Sequence, residues 1–127
     1  MKRRVAIRWT ATAREGLKRL PKKVARGLWE KVGQLRDCDP REPGKPLTGP
    51  LQGFYRLAYS RYRAVYSVQV EKAPGETAVF FTVHCVVVGL RREGDRKDVY
   101  RLAQRLVDLG IIEANPDPGK GRDQERR

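Results

Sequence analysis

The stretch GFYRLAYSRYRAVYSV, residues 53–68, constrains the fold of this chain more than any other. Apolar and polar residues alternate on both sides of Ser60-Arg61, the pattern of two strands joined by a tight turn. With the turn placed there, Tyr59 faces Tyr62, Leu57 faces Ala64 and Tyr55 faces Tyr66, and these six residues share one face. That face is apolar with phenolic tips and suits a core. The other face carries Phe54, Arg56, Ala58, Arg63 and Val65, with Arg63 opposite Ala58 and Arg56 opposite Val65. A slip of one residue would turn the apolar face outward, so burial enforces this register.

The rest of the chain supplies elements to cover that face. Val5, Ile7 and Trp9 alternate with Ala6 and Arg8 and predict a short first strand. Thr12 followed by Glu15 is a capping box and predicts a helix start. Pro21 opens a second helix, in which Val24, Leu28, Val32 and Leu35 form one stripe. Asp39-Pro40 ends that helix near Asp37, and residues 39–50, DPREPGKPLTGP, with four prolines and two glycines, form a loop. After the hairpin, residues from about Thr77 to Val88 are apolar on both faces, as expected of a central strand. Val99, Leu102, Ala103, Leu106 and Leu109 predict a last helix with Asp95 as its N-cap. The expected fold is α+β: a small antiparallel sheet with an N-terminal helix pair packed on one face, in the order β-α-α-β-β-β-α. Residues 1–112 make one domain, and residues 113–127 read as a disordered charged tail.

Twenty-eight basic residues against 15 acidic ones leave a net charge of +13. The last fifteen residues hold four acids and four bases, so the whole excess falls on the folded part. Such a field favours polyanions, nucleic acid above all. Cys38 and Cys85 read as free thiols, and with no CxxC and a single histidine a zinc site is not expected; neither is any other metal or cofactor. His84, inside an apolar run, reads as a core histidine. No apolar run is long enough for a secretory signal or a membrane span, so a soluble, cytoplasmic protein with no membrane partner is expected.

Between Glu42 and Glu71 there is no acid to neutralise Arg56, Arg61 and Arg63. Arg91 and Arg92 follow the end of the central strand, and Lys45 lies on the preceding loop. An acid-free basic sheet face is a good polyphosphate site, because the planar guanidinium fork fits phosphate oxygens. Phe54 and the tyrosines offer rings on which bases can stack. A solvated face whose arginines only keep the protein soluble accounts for the same pattern.

The segments KPLTGPLQGFYRLAYSRYRAVYSV and VVVGLRREGDRKDVYRLA resemble the RelE/ParE superfamily, the toxins of bacterial type II toxin–antitoxin pairs. The shared features are Lys45-Pro46-Leu47-Thr48-Gly49, Tyr62-Arg63-Ala64-Val65-Tyr66, and Val88-Gly89-Leu90-Arg91 followed by Tyr100. In its RelE branch the resemblance implies a metal-independent endoribonuclease that cleaves messenger RNA on the ribosome. Arg56, Arg63, Arg91 and Tyr100 would be the catalytic residues, and Lys45, Phe54, Arg61 and Arg92 would bind RNA. It also implies an acidic antitoxin partner. Tyr100, Tyr59 and Lys45 are the candidates for the general base. Ala58 stands where the RelE branch has a second lysine, which keeps open a ParE-like inhibitor of DNA gyrase and a non-catalytic nucleic-acid-binding module.

Overall fold

The computed structural model describes residues 2–72, 75, 77–114 and 116. The predicted tail of residues 113–127 therefore lies outside the described residues except for Glu113, Ala114 and Pro116. The chain runs β1 (Lys2–Trp9), α1 (Ala11–Lys18), α2 (Lys22–Gly33), β2 (Lys45–Pro46), β3 (Tyr55–Tyr59), β4 (Tyr62–Glu71), β5 (Ala78–Leu90) and α3 (Val99–Asp108). Short 3-10 turns follow α2 and precede β3. The α+β class and element order are those expected, with β2 as an added two-residue strand inside the proline-rich loop.

The five strands form one sheet in the order β1-β5-β4-β3-β2. The hairpin has the expected register, Tyr59 with Tyr62 through Tyr55 with Tyr66. Ser60 turns it with φ 55°. The sheet is mixed and not wholly antiparallel, because β1 runs parallel to β5. That pairing sets Val5 beside Phe81, Ile7 beside Val83 and Trp9 beside Cys85, so the inward faces of both strands merge into one core. β5 lies between β1 and β4, which explains its apolar residues on both faces.

The helix pair covers one sheet face. Ala13, Leu28, Val32 and Leu35 pack there against Leu57, Ala64, Tyr66, Val68, Val83 and Cys85. Tyr66 is fully buried, stacks on Tyr55, and donates its hydroxyl proton to the Pro40 carbonyl at 2.7 Å. The proline-rich loop is thereby tied to the core, and Lys45 with it. Cys38 is half-buried and Cys85 buried, and both are free thiols.

Two helix caps differ from expectation. Thr10, not Thr12, caps α1: its hydroxyl accepts from the Ala13 N–H and donates to the Val86 carbonyl. Val86 is the extra residue of an irregularity opposite Val65/Tyr66, where the ladder steps from Val87 to Cys85. The Thr10 hydroxyl therefore satisfies a bulge carbonyl as well as a helix end. Asp98, not Asp95, caps α3 by accepting from the Tyr100 N–H.

The second sheet face is only partly open. α3 and the 3-10 turn at Gly49–Leu51 cover its middle, burying Leu51, Phe54, Val65, Val86, Val87, Val99 and Ala103 together. Among the described residues, no helix is long and apolar enough to cross a membrane.

Candidate functional site

The basic site lies on the α3 side of the sheet, where the hairpin tip meets the N-terminus of α3. Register alone places its arginines. Arg56 of β3 is opposite Val65, and Arg63 of β4 is opposite Ala58, so the two arginines are diagonal neighbours. Arg63 is also opposite Gly89 of β5, and Arg91 follows two residues later. The ladder continues to that point, because the Arg91 N–H donates to the Arg61 carbonyl at 2.8 Å. Diagonal neighbours stand about 7–8 Å apart at their backbones. Arg56, Arg63 and Arg91 thus form one diagonal across three strands, and Lys45 extends it on the far side because β2 places it opposite Arg56.

The three guanidinium groups have different surroundings. Arg63 folds along the hairpin, its Nη1 donating to the Ser60 and Tyr62 carbonyls at 2.9 Å each, and its enclosed Nε has no partner. Among the described residues, Lys45, Arg56, Arg61 and Arg63 form no ion pair with an acid. Arg91 does. Its Nη1 lies 2.6 Å from Asp98 Oδ1, and its Cζ lies 4.5 Å from the centre of the Tyr100 ring. One edge of this guanidinium is held by a carboxylate and one face by an aromatic ring, the cation–π arrangement.

Asp98 was not among the residues singled out from the sequence. It is 2% exposed and accepts from the Arg92 and Tyr100 N–H groups as well as from Arg91. Burial pushes its carboxyl upward, but the Arg91 guanidinium and the two backbone donors outweigh burial and hold it below the usual carboxylate range. A sequence signal existed: Asp98 directly precedes Val99, the first residue of the apolar stripe, which is where an N-cap belongs.

The other predicted residues divide. Tyr100 stands in the first turn of α3 and lines a groove with Leu47, Thr48, Leu51 and Gln104. Arg61 is exposed at the hairpin tip. Arg92 is exposed beside Arg91, and its Nη1 lies 4.0 Å from Asp95. Phe54 is a correction: it is 1% exposed, packed in the core beneath α3, and presents no ring to a base. The hairpin by itself leaves that face bare, whereas α3 returns to cover it. Tyr59 packs with the helix-pair core, its ring against Gly27, on the opposite face from the arginines. Of the candidate bases, Tyr100 and Lys45 remain on the site's side. His84 is not the core histidine expected: it is half-buried, lines a groove with Ser67 and Ile112 away from the diagonal, and its partial burial together with Arg8 lowers its pKa.

No profile of a known protein family matches the chain. Toxin RelE of Mycobacterium tuberculosis is 42% identical over 60 residues, covering 46% of this chain and 61% of that protein. Toxin RelG of the same organism is 30% identical over 95 residues, covering 75% of this chain and 94% of that protein. Among solved structures, the RelBE2 toxin–antitoxin complex of M. tuberculosis is similar, with 29% identity, a TM-score of 0.49, and coverage of 68% of this chain and 90% of the matched one. The Escherichia coli RelBE complex follows, with 20% identity, a TM-score of 0.47, and coverage of 69% and 98%.

Proposed function

The chain belongs to the RelE toxin family, and from that premise we propose that it is the toxin of a type II toxin–antitoxin system, acting as a metal-independent endoribonuclease on messenger RNA at the ribosome. The observation that carries this reading is the diagonal of Arg56, Arg63 and Arg91 on one sheet face, with Tyr100 beneath Arg91. An RNA 2′-hydroxyl attacks the adjacent phosphate; the 2′-oxygen–phosphorus bond forms and the bond to the 5′-oxygen breaks. Negative charge gathers on the phosphoryl oxygens, and preorganised guanidinium donors stabilise it more strongly than water does. The 2′ proton and the proton for the leaving oxygen need groups other than arginine, whose pKa lies above about 12. Tyr100 and Lys45 fill those roles in this reading. Arg61 and Arg92 extend the basic rim along the RNA backbone.

The basic face also fits an acidic partner that lies over it and neutralises it, the role of an antitoxin. Induced expression followed by mapping of RNA 5′ ends tests the nuclease reading. New ends are expected in cells making the wild type and not in cells making Arg63→Ala with Arg91→Ala. Intact messenger RNA in arrested cells would reject it. One feature favours a second reading, a ParE-like gyrase inhibitor: Ala58, opposite Arg63 on the site's own face, stands where the resemblance to the RelE branch implies a second lysine. Gyrase-dependent DNA breaks with uncut RNA would select that alternative.

A further inference from the structure

A carboxylate inside a site for polyanions needs a reason. Asp98 cancels one of the charges that would attract RNA, and as a buried acid it is costly unless paired. Capping α3 is not a sufficient reason, because asparagine or serine caps a helix as well as aspartate. The ion pair is what those residues cannot supply.

We propose that Asp98 is a positioning residue for phosphate chemistry at this site, locking the Arg91 guanidinium against the Tyr100 ring so that its remaining edge faces the scissile phosphate. The inference rests on the nuclease reading above. Arg91 lies just past the end of β5, where a long side chain would otherwise sample many rotamers. Asp98 fixes its Nη1 edge at 2.6 Å and the Tyr100 ring fixes one face at 4.5 Å. Asp98 is itself held by the Arg92 and Tyr100 N–H groups, so it is a rigid anchor. Among the described residues the Nη2 edge meets only Glu93, at 3.9 Å, and Glu93 is 91% exposed, a contact that a phosphate readily displaces. The pair Arg91–Asp98 is neutral. Its contribution is geometry, while Arg56, Arg63 and Lys45 supply the charge.

The test uses the full chain with Asp98→Asn and Asp98→Ser, which keep the helix cap and lose the ion pair. Two quantities are measured: single-turnover cleavage of ribosome-bound messenger RNA, and affinity for a 2′-O-methyl RNA that cannot be cut. Cleavage is expected to slow by about tenfold or more, as small misplacements of a reacting group do. Affinity is expected to stay the same or tighten, because a negative charge has gone. Thermal unfolding of each variant confirms that it is folded at the assay temperature. Cleavage within about threefold of wild type, or a loss of affinity matching the loss of rate, overturns the positioning role. A wild type that cuts no RNA overturns the nuclease reading itself, and the positioning role falls with it; a wild type that cuts alongside an equally fast variant overturns the positioning role alone.

Discussion

Replacing Arg56 and Arg63 together with glutamine separates charge from geometry in this site. Neither arginine pairs with an acid among the described residues, so each is available to neutralise one phosphate. Each contact to a single strand contributes about 0.7 to the slope of log affinity against log salt. Losing two contacts should lower the slope by about 1.4, so raising salt from about 50 to about 200 mM weakens the wild type about sevenfold more than the variant. Arg91 makes the matched comparison. Arg91→Gln with Asp98→Asn removes a neutral pair and should leave the slope unchanged, while cleavage falls. Fluorescence anisotropy with a 2′-O-methyl RNA across a salt series reads both slopes. A wild-type slope in the Arg56/Arg63 variant would mean that the sheet-face arginines do not touch the RNA backbone. A slope that falls in the Arg91/Asp98 variant would mean that the pair opens on binding and that Arg91 acts as a free cation.

Three further outcomes follow from the fold and its titrating groups. Tyr66→Phe strands the buried Pro40 carbonyl and should cost about 1–3 kcal/mol in urea unfolding; an unchanged midpoint would show that the carbonyl finds another donor. Ser60→Gly relieves a positive φ at the hairpin tip and should stabilise by up to about 1 kcal/mol after the entropy of glycine is offset, whereas a loss of stability would point to a contact of the serine itself. Burial and Arg8 lower the pKa of His84 in the folded chain, so the unfolded chain binds its proton more readily than the folded one. Its cost therefore appears as pH falls below about 6.5 and is absent above; stability in His84→Gln should depend less on pH in that window, and an identical pH profile would exclude His84 as the cause.

Local periodicity was enough for the hairpin. Tyr55, Leu57 and Tyr59 on one strand and Tyr62, Ala64 and Tyr66 on the other can be buried together in a single register, and that register is present. The stripe Val24, Leu28, Val32 likewise named the face of α2 that meets the sheet, and Leu35 continues it in the 3-10 turn that follows. Periodicity states which face of an element is apolar. It does not state what will cover that face, because the covering surface comes from far along the chain. So Phe54, open to solvent when the hairpin is considered alone, is roofed by α3. The first strand ran parallel to β5, a choice made by the match of Val5, Ile7 and Trp9 with Phe81, Val83 and Cys85. Thr10 was selected as the cap over Thr12 because it alone also meets the Val86 carbonyl.

The same division runs through the site. Alternation along the hairpin was sufficient to put Arg56 and Arg63 on one face, and the excess of basic residues made a polyanion the natural ligand. Which arginine is paired with an acid depends on how the loop after β5 returns to start α3. That return sets Asp98 against Arg91 and slides the Tyr100 ring beneath it. Charge in a site adds up along a chain, but the direction of a guanidinium is set by the neighbours that packing brings to it.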